Sequence, residues 1–542
     1  MKKTQLTQQM LEVISNNNGL QRYLRSLTEG KAATPRSWLY EDLASEEVQK
    51  LWLKELSVLQ DGDSYEQEVF QFDTSQLKKW GPQGEVKPIA EIMDIVLEGF
   101  GDFSYPKAFD TPEWHLAMEY TKHMFTGWFG VHDLRPASYR KVVDDMRARD
   151  VLESNSGWPL FTRRSNPEVK EAAIADAESG KWKEYPAIAL FRNYNQKTRL
   201  VWMFPMATNL VEGSFYQPLY NALSKTKATS FFAPWKGFNE VRKLITGLYS
   251  AEAPFWYFIA ASDFSSTDAH FRKATTQQVA EVLEACFKPE YRDSLHESLM
   301  HMHEIPLVVG PDTMITGEHG VASGSNWTNF VETVFDYIFS VYVAILQGAK
   351  VSVKGRLSRG PGTRAYSGLY AIGDDMSWFT TDYSEDFADK LQEYGESVGQ
   401  LIKAEKTTND RDKVKSLQRL FQRGYNTPNG DTRGVYSTIR ALNSSLHPER
   451  FHDPRKWSSD MFCVRQFMIL ENCVDHPLFE EFVRFVCKGN RHLSEFARKS
   501  SEEQNRALRE SRLLPGLNTT YNQEKRDSKL SDFASIRIAA KL

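Results

Sequence analysis

The stretch YAIGDDMSWF, residues 370–379, places two adjacent carboxylates between apolar and aromatic segments. Asp374 and Asp375 follow Gly373, and both Gly and Asp are common in tight turns. The alternation of apolar segment, turn and apolar segment predicts a β-hairpin with the two acids at its tip. Neighbouring negative charges in an apolar setting repel one another, and a divalent cation would turn that repulsion into attraction. A simple solvated turn is the alternative that this stretch alone leaves open.

The bulk composition is that of an ordinary globular protein. The chain has 542 residues, 41% of them hydrophobic and 25% charged, with a net charge of −4. This length predicts about two to four lobes instead of a single small core. The net charge gives no global basic field for nucleic acid, although a local basic channel stays possible because steering depends on where charges lie. The four cysteines show no CxxC pair, so we expect buried, reduced thiols.

A third acid ends another apolar run. The segment FWYFIAASDF, residues 255–264, is typical of a buried strand and carries Asp263 near its end. If this strand neighbours the hairpin in one sheet, Asp263, Asp374 and Asp375 converge at one edge. Mg²⁺ prefers oxygen ligands of this kind, and two such ions about 4 Å apart can serve phosphoryl transfer. The most apolar window, residues 331–347, is interrupted by Glu332 and Asp336 and predicts a buried helix instead of a membrane span.

Three motifs in a fixed order carry a family resemblance. DFSSTD (263–268), SGSNWT (323–328) and GDD (373–375) resemble the palm motifs of viral RNA-dependent RNA polymerases, most like those of picobirnaviruses and next those of partitiviruses. The resemblance implies an α+β right-hand fold of fingers, palm and thumb, with an antiparallel palm sheet backed by helices and mainly helical outer lobes. It implies an N-terminal region and fingers over 1–250, a palm over 251–425 with part of the fingers inserted, and a thumb and tail over 426–542.

The implied activity is template-directed RNA synthesis by two-metal nucleotidyl transfer, which would replicate and transcribe a viral RNA genome. The implied cofactors are two Mg²⁺ ions, with Mn²⁺ as a possible substitute. The alternatives are a reverse transcriptase and a non-enzymatic, capsid-associated RNA-binding protein. Asp268 favours the RNA polymerase, because a carboxylate there can accept a hydrogen bond from the 2′-OH that distinguishes RNA precursors from DNA precursors. A helix N-cap is the other role open to Asp268.

The resemblance also assigns roles around the acids. Asp263 and Asp374 would be the main metal ligands, with Asp375 as a weaker one. The residues expected near the ribose and nucleotide are Asp268, Ser323, Gly324, Asn326 and Thr328. The family often has Asn four residues after that Thr, whereas this chain has Glu332. Which amide serves the ribose, that of Asn326 or that of Asn329, is therefore open.

Basic residues complete the predicted site. The triphosphate is expected to contact Arg192, Lys197 and Arg199, where Arg supplies a bidentate fork and Lys a mobile charge. Lys406 is the predicted general acid for the leaving pyrophosphate, with Lys403 as the alternative. The expected RNA contacts are Gly157 and Pro159 at the template entrance, where Asn155 departs from the family pattern, and Arg419 and Arg423 in a small hairpin over 416–423. The basic loop with Lys354, Arg356, Arg359 and Arg364 either faces RNA or is a solvated surface.

The resemblance implies as partners an RNA template and product, nucleoside triphosphates and a viral capsid protein. It implies a monomer without a membrane association, located in the virion interior and the host cytoplasm. Whether initiation needs a primer, and whether the tail after Pro515 folds toward the cleft, cannot be deduced from the sequence.

Overall fold

A computed structural model describes residues 1–149, 151–354, 357–451, 453–514 and 529–542. The strands, in chain order, are β1 (Lys2–Gln5), β2 (Ala187–Tyr194), β3 (Lys197–Met203), β4 (Phe258–Ser265), β5 (Leu307–Val308), β6 (Thr313–Thr316), β7 (Ser352–Lys354), β8 (Leu357–Arg359), β9 (Ser367–Ile372), β10 (Asp375–Thr380), β11 (Leu401–Ile402), β12 (Thr408–Asn409), β13 (Lys413–Ser416), β14 (Arg419–Gln422) and β15 (Val435–Tyr436).

The α-helices, in chain order, are α1 (Gln8–Ser15), α2 (Asn18–Glu29), α3 (Ser45–Leu56), α4 (Ser64–Thr74), α5 (Met93–Glu98), α6 (Pro112–His123), α7 (Tyr139–Ala148), α8 (Pro167–Ser179), α9 (Met206–Lys225), α10 (Phe238–Tyr249), α11 (Thr267–His270), α12 (Lys273–Ala285), α13 (Arg292–His301), α14 (Thr328–Leu346), α15 (Phe387–Ser397), α16 (Thr438–Leu446), α17 (Ser459–Glu471), α18 (Phe479–Lys488), α19 (His492–Ala497), α20 (Ser501–Ser511) and α21 (Ala534–Ala539).

The central sheet has the strand order β11-β4-β10-β9, with β12 also pairing with β4, and its pairs are antiparallel. The two apolar segments that flank the GDD turn form β9 and β10, as the alternation predicted. Because β10 pairs directly with β4, Asp375 lies opposite Asp263 in the register. The α+β class with an antiparallel sheet is therefore confirmed.

Helix α14 packs behind the central sheet, against β9 on one side and α6 on another. It is long and apolar enough to cross a membrane by length and composition, but 78% of its apolar window is buried inside the protein. The predicted buried helix is thus present. Its only acidic residues, Glu332 and Asp336, are buried with it.

A second sheet has the order β1-β6-β5-β2-β3 and contains a hairpin over residues 185–205, whose two apolar runs flank a polar, basic turn and so predict two strands. The hairpin turns at Asn195 and Gln196, which have φ values of 51° and 64°. Such left-handed conformations suit a two-residue turn, because their twist matches that of the flanking strands. The hairpin therefore extends as a regular two-stranded arm toward the last third of the chain.

From α16 onward, the last third of the chain is helical and has its own hydrophobic core. This core also takes in residues 39–72, so α3 and α4 pack against helices that lie nearly 400 positions later in the sequence. Trp52 shows the link, because it is fully buried and its Nε1 donates a hydrogen bond to Thr438 at 2.8 Å. The four cysteines are buried and unpaired, as expected.

Candidate active site

Three carboxylates meet where β4 and β10 lie side by side. One oxygen from each of Asp263, Asp374 and Asp375 lies within 4.8 Å of the others. Gly373 makes the turn possible, since its φ of 58° suits glycine and its N–H donates to Thr333 Oγ1 at 2.9 Å. The predicted convergence of the three acids is therefore present at one edge of the sheet.

The electrostatics of this cluster favour a cation. Burial and the charges of Asp374 and Asp263 raise the pKa of Asp375 to about 7. Burial and Asp374 raise the pKa of Asp263 to about 6, while Lys406 and Arg199 act in the opposite direction. Carboxylate oxygens this close and this costly to ionise fit a divalent cation, which supplies the missing positive charge. The donor set thus fits the implied metal.

Asp268 lies close to the same cluster. Desolvation and the charge of Asp374 raise the pKa of Asp268 to about 6, and Arg199 opposes that shift. The alternative role as a helix cap is wrong, because Ser266 occupies the N-cap position of α11 and Asp268 lies inside the helix. Asp268 is exposed and lies within the electrostatic influence of Asp374. Thr267, which the sequence reasoning missed, donates a long hydrogen bond from its Oγ1 to Asp374 Oδ2 at 3.5 Å.

Residues 323–328, here termed the nucleotide loop, lead into α14. Ser323 is exposed, and its Oγ accepts a hydrogen bond from Trp202 N at 3.2 Å. The side chains of Asn326 and Thr328 both make hydrogen bonds within the protein. Asn326 Nδ2 donates to Asn209 O at 3.0 Å, and Thr328 Oγ1 donates to Ala322 O. The expected place of these two residues near the ribose and nucleotide stays a prediction.

The amide left open by the sequence is best matched by Asn329. Its side chain is exposed beside the GDD turn, where a Cβ placed on Gly373 would lie 2.8 Å from Asn329 Nδ2. Glu332 also borders this turn, and burial together with Asp268 and Asp374 raises its pKa well above the usual range. Asp336, one helical turn further, is fully buried with neither carboxyl oxygen hydrogen-bonded. Both acids on α14 are therefore strongly driven toward the protonated form.

The three predicted triphosphate residues differ in availability. Arg199 is exposed on β3, and its charge opposes the upward pKa shifts of Asp263, Asp268 and Asp374, so it lies near the cluster. The exposed Lys197 lies beside the hairpin turn. Arg192 instead donates to both carboxyl oxygens of Glu449 at 2.6 and 2.7 Å, so its fork is already used. A phosphate contact from Arg192 would require that ion pair to open.

The two candidate general acids differ in their electrostatic effect on the cluster. Lys406 is exposed, and its charge is one of the influences on Asp263. Lys403 has no such influence on any of the cluster's carboxyls. Lys79, which the sequence reasoning did not single out, also lies near this basic group, because burial and then the charges of Arg440, Lys78, Arg199 and Lys406 lower its pKa. Its sequence neighbourhood contains no motif that could have revealed this.

Residues 154–164, here termed the template-entrance loop, contain Gly157 and Pro159. The peptide bond between Trp158 and Pro159 is cis. Gly157 has a φ of 67°, and a Cβ there would lie 2.7 Å from the carbonyl oxygen of Phe204. Asn155 accepts a hydrogen bond on its Oδ1 from Gly157 N at 2.8 Å. Gly157 is thus required by close packing of the loop, and its predicted contact with RNA stays a prediction.

The predicted hairpin over 416–423 exists as β13 and β14, but its two arginines are not placed for RNA. Arg419 is buried and donates to the carbonyl oxygens of Gly434 and Asn472 at 2.8 and 2.9 Å. The side chain of Arg423 is 9% exposed, stacks over Trp256 and donates to backbone carbonyls. The expectation that both contact phosphates is therefore corrected, because each guanidinium is used inside the protein.

Two segments whose roles the sequence left open lie at the edges of the described residues. Lys354, Arg359 and Arg364 are exposed, whereas Arg356 lies outside the described residues. The tail after Pro515 is likewise outside the described residues up to position 528. Beyond it, α21 packs against α17, α18 and α19, and Ala534 N donates to Glu471 at 2.9 Å. This last segment therefore belongs to the helical core of the final third.

The sequence matches one protein family along its middle. The family profile "Viral RNA-dependent RNA polymerase" covers residues 194–429, which include all three motifs. The chain is 27% identical over 494 residues to the "Potential RNA-dependent RNA polymerase" of Human picobirnavirus (strain Human/Thailand/Hy005102/-), covering 88% of this chain and 86% of the relative. It is 23% identical over 150 residues to the "RNA-directed RNA polymerase" of Cryptosporidium parvum virus 1 (strain KSU-1), covering 28% of each chain.

The fold matches solved structures over nearly the whole chain. The crystal structure of the RNA-dependent RNA polymerase of a human picobirnavirus superposes with a TM-score of 0.79 at 23% identity, covering 98% of this chain and 99% of that one. An insertion-loop deletion mutant of such an enzyme gives 0.74 at 24% identity, with 90% and 93% coverage. These matches extend the similarity in fold to the segments that carry no motif.

Proposed function

We infer that the chain is a viral RNA-dependent RNA polymerase, with its chemistry at the cluster of Asp263, Asp374 and Asp375. The resemblance, enzyme class and right-hand fold predicted from the motifs are confirmed by the family match, the picobirnavirus relative and the superposition. The single observation that carries the assignment of the site is the meeting of three carboxylates within 4.8 Å in the matched segment. The reverse transcriptase and the non-enzymatic RNA-binding protein are not favoured.

The reaction is the attack of a 3′-hydroxyl on the α-phosphorus of a nucleoside triphosphate, with departure of pyrophosphate. Asp263 and Asp374 would hold divalent cations, with Asp375 as the third acid. Two bound Mg²⁺ ions, or Mn²⁺ in their place, would stabilise the attacking and leaving oxygens together. The metal's identity is a proposal that the close carboxylates support without specifying.

The chain's own residues would orient the substrate and move a proton. Arg199, exposed and near the acids, would neutralise the triphosphate. Lys406 would donate a proton to the leaving pyrophosphate. Asp268, beside Asp374, would accept a hydrogen bond from the ribose 2′-hydroxyl, and Asn329 would supply the nearby amide. Positioning of the two reactants in line accounts for much of the expected acceleration.

RNA and nucleoside triphosphates are the partners that the activity requires. We further propose a viral capsid protein as a partner, a monomeric enzyme without a membrane association, and a location in the virion interior and the host cytoplasm. Only the family resemblance supports these assignments.

The test is nucleotide incorporation on a heteropolymeric RNA template, with Mg²⁺ and with Mn²⁺. Wild type is compared with Asp374→Asn, and Asp389→Asn on the exposed face of α15 is the matched control. We expect ribonucleotides to be incorporated by wild type and the control, and not by Asp374→Asn. Incorporation of deoxyribonucleotides alone would indicate a reverse transcriptase. Absence of product from the wild type with either metal would contradict the proposed function.

A further inference from the structure

The nucleotide loop and the template-entrance loop both contact one short stretch, the junction of β3 and α9 over residues 202–212. The nucleotide loop approaches it so closely that a Cβ on Gly324 would lie 1.6 Å from the carbonyl oxygen of Trp202. The template-entrance loop approaches it from another side, since Met206 N donates to Ser156 O at 2.8 Å. The junction is therefore the shared support of both loops.

Asn209 on α9 bonds to both loops at once. Its Oδ1 accepts a hydrogen bond from Arg164 Nη2 of the template-entrance loop at 2.8 Å. Its Nδ2 donates to Gly324 O of the nucleotide loop at 3.1 Å and to Glu212 Oε1 at 2.9 Å. Its backbone oxygen accepts from Asn326 Nδ2 at 3.0 Å. A shift of either loop would thus change the bonds available to the other.

Glu212, one helical turn further, completes the network. Its side chain accepts hydrogen bonds from Ser325 Oγ, from Asn326 N at 3.1 Å and from Asn209. Glu212 is 1% exposed, and burial raises its pKa to about 7 against the effect of these bonds. A buried carboxyl is costly, and apolar residues of similar size often stabilise a core as well or better. Its presence here therefore points to a role other than packing.

We propose that Asn209 and Glu212 are positioning residues that couple the template-entrance loop to the nucleotide loop. Arg164 carries the coupling from one side, and Ser325 with Asn326 carries it from the other. Neither Asn209 nor Glu212 reaches the three aspartates, so both act through the loops that they hold. The consequence is that the loop receiving the nucleotide takes its arrangement only when the template loop is in place. This inference rests on the proposed polymerase function.

The first experiment separates hydrogen bonding from packing at position 212. Glu212→Gln keeps an acceptor for Asn209 and Asn326 and can donate to Ser325, whereas Glu212→Leu keeps only the volume. We expect Glu212→Gln to retain the wild-type KM for nucleotide, and Glu212→Leu to raise it with a smaller change in kcat. A wild-type KM in both variants would overturn the positioning role.

The second experiment measures the coupling itself through a double-mutant cycle. Ser325→Ala and Arg164→Met each remove one bond to the network, and we expect each to raise the KM for nucleotide about threefold to tenfold. Coupled loops predict that the double variant is no worse than the worse single one, whereas independent loops predict that the two effects multiply. Multiplication of the two effects would overturn the proposal.

The matched control is Ser437→Ala at the start of α16. This change removes a hydroxyl that donates a hydrogen bond to the buried carboxylate of Asp73 on α4. We expect this variant to lose thermal stability without a change in the KM for nucleotide. If Ser325→Ala behaves in the same way as Ser437→Ala, the network is only structural and the proposal fails. A wild-type protein that incorporates no ribonucleotide at all would instead contradict the proposed function, so the two failures are distinguishable.

Discussion

The carboxyl of Asp375 favours the protonated form without a cation and the ionised form with one. Burial and the neighbouring Asp374 and Asp263 raise its pKa to about 7 in the folded protein. An aspartate in the unfolded chain has a pKa of about 4. The metal-free folded state therefore binds the proton more tightly, and its stability falls as the pH rises from about 4 to about 7. A cation needs the ionised carboxyl, so its affinity rises over the same range.

The opposite pH dependences of stability and of cation affinity give a prediction for Asp375→Asn. Without divalent ions, we expect the variant to gain melting temperature relative to wild type as the pH is raised from 5 to 8. With Mg²⁺, we expect a larger stabilisation of wild type at pH 8 than at pH 5, and a smaller one in the variant. Thermal unfolding in EDTA and in MgCl₂ measures both effects. A difference between the proteins that does not change with pH would contradict the raised pKa.

Lys406 and Lys403 form a natural pair for testing the general acid. Of these two lysines, only Lys406 acts on Asp263 through its charge, so we expect Lys406→Ala to lower the single-turnover rate about 10²-fold or more. Lys406→Arg should recover little, because a guanidinium does not release its proton. Lys403→Ala is the control and should stay near the wild-type rate. Equal losses from both alanine variants would argue against a specific proton donor.

Residue spacing was sufficient to predict the acids but not the fate of the basic residues. Asp263 ends an apolar run and Asp374 follows a turn glycine, so local pattern alone located them. Arg419 has the same local appearance as a surface arginine. Its guanidinium is nevertheless inside the protein, because distant backbone carbonyls of Gly434 and Asn472 accept its hydrogen bonds. No local pattern in a single sequence reports such partners.

At the scale of the element, helix α16 begins on a buried carboxylate from a distant helix. Asp73 of α4 accepts hydrogen bonds from the first residues of α16, including Thr438 and Ile439, and from His476 Nε2 at 2.8 Å. Desolvation alone would raise the pKa of Asp73, but the hydrogen bond and charge of His476 hold it below its usual range. The folded state therefore gains stability above about pH 4, and that gain is lost as the pH falls further.

We expect Asp73→Ala to destabilise the start of α16 strongly, because it leaves several buried donors without an acceptor. Amide hydrogen exchange should speed up throughout the first turn of α16 while the central sheet keeps its protection. The control is Asp63→Ala, which removes an exposed carboxylate that caps α4 through Glu66 N, and should cost about 1 kcal/mol or less. Equal protection of α16 in both variants would contradict this role of Asp73.

Helices and strands with clear apolar periodicity and turn residues were predictable from the sequence. The distant elements against which they pack were not. The β9–β10 hairpin, the hairpin over 185–205 and the buried helix α14 all follow from apolar periodicity and turn residues. The pairing of α3 and α4 with helices after residue 438 depends on contacts nearly 400 positions apart. Amphipathic helices show that they must pack, but not against which surface.

At the scale of the molecule, residues 80–86 lie between the β2–β3 arm and the helical final third. Gln83 is buried and spans this gap, since its Oε1 accepts from Asn195 N and its Nε2 donates to His447 O, both at 2.8 Å. Asn443 Oδ1 accepts from Gly81 N at 3.0 Å, and Gln196 Nε2 donates to Trp80 O at 2.9 Å. These bonds link the arm to the final third through residues 80–86.

We expect the bridge through residues 80–86 to slow the release of RNA from the proposed polymerase. We therefore expect Gln83→Ala to shorten the lifetime of a stalled enzyme–RNA complex while leaving the rate of a single nucleotide addition nearly unchanged, because Asp263, Asp374 and Asp375 lie on another sheet. A challenge with competitor RNA measures the lifetime, and rapid mixing measures the single addition. Gln67→Ala, which removes only a local bond to Gly62 O on an exposed turn, is the control. A slower single addition at an unchanged lifetime would mean that Gln83 supports the active site instead of the retention of RNA.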